Sequence, residues 1–220
     1  MFTRFIISAS RPEQFPPENG LPEAAFLGRS NVGKSSLLNA LVKTGERESS
    51  SRTAGLSKGS ADGSSAGKPS AQKRQGLAFT SSTPGRTQLI NFYQIGELFR
   101  FADLPGYGFA QVPRGMQDEW RRLIERYLLD RESLKLCLLL LDARRGWMEK
   151  DLELKSWLES QGRHYMVAVT KMDKLSQSEQ QKTLKGIREQ YPDGELHPCS
   201  AATGRGVREL WQAIWKIKIQ

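Results

Sequence analysis

Cysteine, histidine and long apolar segments are scarce in this chain. Its 220 residues include two cysteines and two histidines, which excludes a scaffold held together by disulfides. The longest apolar run, CLLLL at 137–141, is far shorter than the roughly 20 residues that cross a bilayer. The amino terminus lacks the long apolar region and small-residue cleavage site of a secretory signal. We therefore expect a cytoplasmic protein without a membrane span, long enough to bury a core within one domain.

Positive charge is in excess. The chain has 33 Lys and Arg against 24 Asp and Glu, which gives a formal net charge of +9. Such a charge suits a polyanionic partner without identifying one.

One segment, Thr44 to Gly76, differs from the rest in composition. It contains eight Ser, six Gly, four Ala and a single large apolar residue, Leu56. The segment has too little apolar surface to bury to offset the conformational entropy lost on ordering, so we predict a disordered insert at 44–76. The remainder keeps 27 basic and 21 acidic residues, so the basic character does not come from the insert alone.

Outside the insert, predicted strands and helices alternate. Two apolar runs, at 89–95 and 98–102, flank the pair Gly96-Glu97 and predict an antiparallel hairpin. We predict further strands at 24–27, 134–141, 165–169 and 196–199, and helices at 33–42, 118–129, 148–160, 176–190 and 207–218. The alternation predicts an α/β fold with a doubly wound, mostly parallel sheet, one antiparallel hairpin strand at its edge, and helices on both faces.

A phosphate-binding motif follows the first of these apolar strands. The residues Gly28, Arg29, Ser30, Asn31, Val32, Gly33, Lys34 and Ser35 match the pattern G-x-x-x-x-G-K-[ST]. In such a loop, backbone N–H groups point at phosphates, the Lys reaches the β- and γ-phosphates, and the Ser hydroxyl binds Mg²⁺. The alternative is a Gly- and Ser-rich turn before a helix, but the strand–loop–helix context favours the phosphate site.

A second motif, Asp103-Leu104-Pro105-Gly106, ends the hairpin. A carboxylate at the carboxyl end of a strand is placed to hold Mg²⁺, usually through water. The Gly106 N–H can approach a γ-phosphate. An ordinary turn is the alternative, which the upstream phosphate loop makes less favourable.

Two further segments can recognise the base. In Thr170-Lys171-Met172-Asp173, a carboxylate can accept hydrogen bonds from the N1–H and the amino group of guanine. Adenine offers neither donor on that edge, so Asp173 disfavours an ATPase or kinase. Backbone N–H groups of Cys199-Ser200-Ala201 can meet guanine O6.

In these motifs the sequence resembles the YihA/EngB-type (YsxC-like) bacterial GTPases of the TRAFAC class. The resemblance rests on four stretches, Pro22 to Leu41, Thr83 to Leu89, Asp103 to Ala110 and Thr170 to Leu175. It implies a P-loop NTPase fold, GTP hydrolysis with Mg²⁺, and a role in large ribosomal subunit assembly that is linked to cell division and septation. It makes Thr87 the switch threonine that closes onto Mg²⁺ and the γ-phosphate, and it adds Gly85, Arg86, Gln88 and Leu89 to the nucleotide site.

The catalytic residues implied are Lys34, Thr87 and Gly106, with Ser35, Thr87 and Asp103 on the metal. Many small GTPases place a Gln after the glycine of the second motif to orient water, whereas this chain has Tyr107. We therefore expect slow intrinsic hydrolysis, raised by a partner or by K⁺, which an Asn at the position of Asn31 helps to hold in related GTPases.

The expected partners are GTP or GDP, and a precursor of the large subunit with its rRNA, bound by a monomer. For any single basic residue a solvated side chain is the favoured interpretation, whereas the basic excess as a whole favours RNA contact. The candidate phosphate contacts are Arg121, Arg122, Arg126, Arg144, Arg145, Lys216 and Lys218. An alternative function is an rRNA-binding assembly module in which GTP is an affinity ligand and its turnover is incidental.

Overall fold

A seven-stranded sheet forms the centre of the molecule. The computed structural model describes residues 3–56, 89–107 and 114–219. The strands are β1 (Thr3–Ala9), β2 (Glu23–Gly28), β3 (Ile90–Ile95), β4 (Phe99–Asp103), β5 (Leu134–Asp142), β6 (Tyr165–Thr170) and β7 (Leu196–Pro198). Their order across the sheet is β1-β3-β4-β2-β5-β6-β7.

The sheet has the predicted, mostly parallel class. Strand β3 runs antiparallel to β1 and β4, and the pairs from β4 through β2, β5 and β6 to β7 are parallel. The predicted hairpin is β3–β4, but β1, which we did not predict, pairs outside it, so β3 lies one position inside the edge. Strand β1 was missed because its register shifts between Phe5 and Ile7, which breaks the alternation of apolar residues that marks a strand.

Helices cover both faces of the sheet. They are α1 (Lys34–Leu56), α2 (Arg114–Asp130), α3 (Glu149–Ser160), α4 (Gln177–Glu189) and α5 (Val207–Trp215). On one face Leu38 of α1 and Trp211 of α5 pack with Phe26 of β2. On the other face Tyr127 of α2 and Leu158 of α3 share a second buried cluster. None of the described helices combines the length and the hydropathy of a membrane span.

Helix α1 continues into the segment that we predicted to be disordered. Gly45 is buried, the Thr44 hydroxyl donates to the Ala40 carbonyl at 3.0 Å, and Glu48 pairs with Arg208 of α5 at 3.2 Å. The structure therefore differs from the prediction at 44–56, where α1 continues although composition does not favour a helix. Positions 57–76 lie outside the described residues.

A buried charge network ties the strands together at their amino ends. The Glu23 carboxylate, with no exposed surface, accepts hydrogen bonds from Arg100 at 3.1 Å, Arg131 at 2.7 Å and the Tyr127 hydroxyl at 3.1 Å. Arg131 also donates to the Pro16 carbonyl at 2.6 Å. This network lies at the end of β2 opposite to the predicted phosphate loop.

Candidate functional site

The predicted motifs lie together at one edge of the sheet, here called the carboxyl edge. Strands β2, β4, β5, β6 and β7 are parallel and end there. The predicted phosphate loop follows β2, the second motif begins at the end of β4, and the two base-recognition segments begin at the ends of β6 and β7. In open α/β sheets this is the edge at which ligands bind.

The loop between β2 and α1 has a backbone built for close approach. Asn31 and Gly33 have φ values of +61° and +103°, which aim successive N–H groups to one side. A Cβ added at Gly28 would lie 2.9 Å from Val32 Cγ1, so only glycine fits without a shift. The first turn of α1 follows directly, and its N–H groups have no partners within the helix. The loop can therefore hold an anion.

Thr170, at the end of β6, holds this loop in place. Its hydroxyl is 2.6 Å from the Val32 carbonyl and 3.0 Å from the Leu141 carbonyl, and the residue is buried. The first base-recognition motif thus contacts the phosphate loop directly.

Lys34 and Asp103 meet between α1 and β4. The ammonium of Lys34 pairs with a carboxylate oxygen of Asp103, and both side chains are largely buried. A cation that neutralises phosphate and a carboxylate that suits a metal therefore share one location.

The oxygens of this location fit Mg²⁺ better than a softer metal. The Asp103 carboxylate ends β4, and the Ser35 hydroxyl lies in the first turn of α1. Among residues 3–56, 89–107 and 114–219, no group of three or more His, Cys, Asp or Glu could enclose a metal ion. Mg²⁺ is usually bound by one or two protein oxygens together with phosphates and water, so Ser35 and Asp103 could hold it next to a nucleotide.

Gly106 is pressed against the phosphate loop. A Cβ added to it would lie 2.8 Å from the Ser30 nitrogen and 3.0 Å from Ser30 Cα. The next residue, Tyr107, forms a parallel bridge with Arg29. The second motif is therefore joined to the first through the backbone.

A cleft of about 180 Å³ lies beside the phosphate loop. It is lined by Gly33, Ser36, Leu37, Thr170, Lys171, Asp173, Lys174, Ala201 and Ala202. These residues come from α1 and from both base-recognition segments, so the cleft adjoins the loop on the side where a base would lie.

The Asp173 carboxylate is fixed in its ionised form. The Ser200 hydroxyl donates to Asp173 Oδ1 at 2.5 Å. This hydrogen bond lowers the pKa of Asp173 by more than burial raises it, and Lys174 adds to the lowering. An ionised carboxylate accepts hydrogen bonds only, which is what two donors of a guanine edge require.

Lys171 connects the cleft with the phosphate loop. Its backbone is left-handed, with φ +60°. Its ammonium donates to the Asn31 carbonyl and, at 2.9 Å, to Asp142 Oδ2. The two loops therefore share a side chain as well as the Thr170 contact.

Comparisons with known proteins give the family. A family model described as "50S ribosome-binding GTPase" matches residues 23–171. The probable GTP-binding protein EngB of Solibacter usitatus is 52% identical over 210 residues, which cover 96% of this chain and 93% of that protein. The chain belongs to the EngB family of GTPases. It accordingly binds and hydrolyses GTP.

A more distant EngB protein supports the same family, and solved structures show the same fold. The probable GTP-binding protein EngB of Bacillus velezensis is 37% identical, with 98% of this chain and 96% of that protein covered. A crystal structure of a probable GTP-binding protein EngB has a TM-score of 0.62 at 22% identity, covering 90% of this chain and 98% of that one. A structure of Era with MgGDPNP and part of 16S ribosomal RNA has a TM-score of 0.59 at 20% identity, covering 90% and 56%. The two structures show that the fold is shared.

Within this EngB-family chain, three residues expected at the nucleotide have their side chains in the core instead. Val32, Leu104 and Met172 are all at most 3% exposed. Leu104 N–H donates to the Phe26 carbonyl at 3.2 Å. Each side chain anchors its loop to the sheet, which leaves the backbone of these residues to face a nucleotide, and their place in the nucleotide site stays a prediction.

The segment after β7 also differs in detail from the expectation. Cys199 N–H donates to the Val169 carbonyl at 2.8 Å, and Ser200 N–H donates to the Arg205 carbonyl at 2.9 Å, so neither is directed at a base. Ala201 lines the cleft, and its N–H is the candidate donor to guanine O6. Burial raises the pKa of the Cys199 thiol to about 12, which leaves it protonated and unreactive.

Parts of the expected site lie outside the described residues. Gly85, Arg86, Thr87 and Gln88 are among them, so the assignment of Thr87 to the metal stays a prediction. Leu89 is described as a half-buried residue directly before β3.

Two residues of the site were missed by sequence reasoning. Asp142 ends β5, and its carboxylate accepts hydrogen bonds from the side chains of Lys171 and Arg144, the latter at 2.7 Å. Burial alone would raise the pKa of Asp142, but these hydrogen bonds hold it well below its usual range. Asp151, in the first turn of α3, accepts a hydrogen bond from the Tyr107 hydroxyl at 2.7 Å. The position of Asp142 at a strand end was a usable signal, whereas nothing near Asp151 in the sequence indicates its partner.

Proposed function

We propose that this GTPase is a molecular switch in assembly of the large ribosomal subunit, acting in the cytoplasm as a monomer and needed for normal division and septation. The observation that carries the proposal is the meeting of phosphate loop, Asp103, Gly106 and the Asp173 cleft at one edge. The ribosomal role is supported by the description of the matching family as 50S ribosome-binding.

The proposed chemistry is attack of water on the γ-phosphorus of GTP. Lys34 neutralises charge that develops on the phosphates, and loop N–H groups stabilise the same oxygens. Mg²⁺, held by Ser35 and Asp103 and by Thr87 as the resemblance implies, supplies further positive charge. Gly106 donates its N–H to the γ-phosphate. Loss of that phosphate releases the switch segments.

The role of Lys34 is testable by substitution. In Lys34→Ala we expect hydrolysis of GTP to fall at least a hundredfold, because a charge next to the reacting phosphate is removed. Lys43→Ala, an exposed residue further along α1, is the matched control. Hydrolysis by Lys34→Ala at the wild-type rate would show that the site is misassigned.

Intrinsic hydrolysis is proposed to be slow. Tyr107 occupies the position of the water-orienting Gln of other GTPases, and its hydroxyl is already bonded to Asp151. K⁺ is proposed to raise the rate through Asn31, an exposed residue of the phosphate loop. Equal turnover in sodium and potassium, or stimulation retained in Asn31→Ala, would remove the potassium proposal.

Contact with rRNA is proposed to use exposed basic side chains. Arg122 and Arg126 of α2, Arg145 and Lys216 are exposed. Arg121 and Arg144 instead pair with Glu125 and Asp142, so they are weaker candidates. Because phosphate contacts release counterions, binding to ribosomal particles should fall steeply with salt. A flat response would contradict RNA contact.

The decisive experiment is co-sedimentation with large ribosomal subunits and their precursors. We expect pelleting with a non-hydrolysable GTP analogue and release with GDP, since only the former keeps the switch segments closed. Equal pelleting in both states would contradict a switch.

A second candidate is an rRNA-binding assembly module with GTP as an affinity ligand. The engagement of Tyr107 by Asp151 favours it, because the side chain directly after Gly106 is already hydrogen-bonded away from the phosphate loop. Single-turnover hydrolysis with and without large subunits distinguishes the two. Stimulation supports the switch, and its absence with any ribosomal particle supports the binding module. An ATPase is the less favoured third candidate, and poor competition of ATP against GTP is expected from Asp173.

A further inference from the structure

Tyr107 joins the phosphate loop to helix α3. Its N–H donates to the Gly28 carbonyl and its carbonyl accepts from the Ser30 N–H, both at 3.2 Å. Its side chain runs to the other face of the sheet, where the ring packs with the α2–α3 cluster. There its hydroxyl donates to Asp151 Oδ1 at 2.7 Å. One residue therefore contacts both the loop and the helix.

Asp151 is a fully engaged buried carboxylate. It is 2% exposed, and its second oxygen accepts the Met148 N–H at 3.1 Å at the start of α3. Burial raises the pKa of Asp151 and of Tyr107, so the phenol keeps its proton and remains a donor. A buried acceptor that loses its donor is costly. The hydroxyl–carboxylate bond thus fixes Tyr107 against α3.

Gly106 is the neighbour of Tyr107 that packs on the phosphate loop. It directly precedes Tyr107, and its Cα faces the Ser30 backbone so closely that a Cβ would lie 2.8 Å from the Ser30 nitrogen. With Tyr107 held from both sides, the Gly106 backbone has little freedom to leave the phosphate loop. A fixed donor costs less entropy on binding than one that must first be ordered.

We infer that Tyr107 and Asp151 form a positioning pair that sets the preference for GTP over GDP, by holding the Gly106 N–H where a γ-phosphate is bound. The inference rests on the proposed function, in which Gly106 contacts that phosphate. GDP lacks the γ-phosphate, so the pair affects GTP alone. Neither side chain touches the nucleotide, and both act through the Gly106 backbone.

The test compares two nucleotides in two variants. Tyr107→Phe keeps the ring and removes the hydroxyl. Asp151→Asn keeps one side-chain oxygen that can accept from the Met148 N–H but has no second oxygen for the phenol. With Mg²⁺ present, we expect the affinity for a non-hydrolysable GTP analogue to fall about tenfold in Tyr107→Phe, as a charge-assisted hydrogen bond allows. The affinity for GDP should stay within about twofold.

A double variant shows whether the two residues act as one unit. Tyr107→Phe combined with Asp151→Asn should lower the affinity for the analogue no further than Tyr107→Phe alone, because the same bond is already lost. Fully additive losses would contradict the pair. If Tyr107→Phe does not fold, Asp151→Asn decides alone: a lower ratio of GTP-analogue to GDP affinity supports the pair, and an unchanged ratio overturns it.

The chain offers a matched control at the opposite end of the sheet. Tyr127→Phe also removes a phenol hydroxyl bonded to a buried carboxylate, that of Glu23 at 3.1 Å. It should lower stability and leave the ratio of GTP-analogue to GDP affinity unchanged. An unchanged ratio in Tyr107→Phe, or an equal loss for both nucleotides, overturns the inference. A wild-type chain that binds neither nucleotide would instead refute the proposed site.

Discussion

Gly106 is the position at which the smallest chemical change should have the clearest effect. A single added methyl group in Gly106→Ala would lie 2.8 Å from the Ser30 nitrogen, 3.0 Å from Ser30 Cα and 3.1 Å from Ser30 Oγ. Two of these atoms belong to the backbone, and the Ser30 N–H is tied to the Tyr107 carbonyl at 3.2 Å. The contact therefore cannot be relieved by rotating a side chain.

Relief requires the second motif to move away from the phosphate loop. Overpacking of this kind costs about 1–3 kcal/mol. A cost of about 2 kcal/mol would lower the midpoint of thermal unfolding by about 4–8 °C in a chain of this length. The displacement also takes the Gly106 N–H away from the phosphate site, so we expect a larger loss of affinity for a GTP analogue than for GDP. Calorimetric unfolding and titration with both nucleotides measure the two effects.

Gly186→Ala is the control for the chemistry of the substitution. Gly186 lies inside α4, and an added Cβ would meet nothing within 4 Å. Because alanine favours a helix over glycine by about 0.5–1 kcal/mol, this variant should be more stable than the wild type and bind both nucleotides equally well. If Gly106→Ala is as stable as Gly186→Ala and binds the GTP analogue normally, the close packing of Gly106 on Ser30 has no functional meaning.

Three further predictions concern buried or fixed carboxylates. Glu23→Gln should lower the free energy of unfolding in urea by about 3–5 kcal/mol, since buried Arg100 and Arg131 lose the carboxylate that they share and Arg131 keeps only Glu18, at 3.8 Å; a loss below about 1 kcal/mol would contradict the network. Asp142→Asn should weaken GTP and GDP binding equally, because Lys171 serves parts of the site that both nucleotides use. The lowered pKa of Asp142 also means that its ion pairs stabilise the fold above the ordinary carboxyl pKa of about 3.9 and that this stabilisation is lost as pH falls through the lower folded value; acid unfolding of Asp142→Asn should lack that component. Asp173→Asn should shift preference from guanine to xanthine nucleotides in competition binding, because an amide can donate to the 2-oxo group.

Local pattern was sufficient for the elements around the site. The hairpin and the strand–loop–helix unit around the phosphate-binding motif could be predicted because each depends on residues that are close in sequence and on the order of strand and helix. The fold class followed from the same alternation. The GTPase assignment rested on the combination of motifs, which the family comparisons confirm.

What was missed depends on contacts between distant residues. Tyr107 and Asp151 are 44 positions apart, and Lys171 and Asp142 are 29 apart. In the helix at 44–56, Glu48 pairs with Arg208 of α5, 160 positions away along the chain. No local propensity encodes such partners, so composition favoured disorder at 44–56 and gave Asp142 and Asp151 no role.

The polar contacts between loops have a consequence for how the nucleotide is bound. Thr170 at the end of β6 and Lys171 directly after it line the base cleft, yet both donate to carbonyls of the phosphate loop, at Val32 and Asn31. Ordering either loop therefore orders the other, and the entropy of ordering is lost once rather than twice. Base and phosphates should consequently bind cooperatively: the affinity for GDP should exceed what guanosine and pyrophosphate, measured separately, would give for independent sites. Lys171→Met retains the alkyl stem but removes the donor to Asn31. This variant should reduce the excess of the GDP affinity over the value for independent sites. It should lower the affinity for guanosine less, because the alkyl stem can still lie along the base.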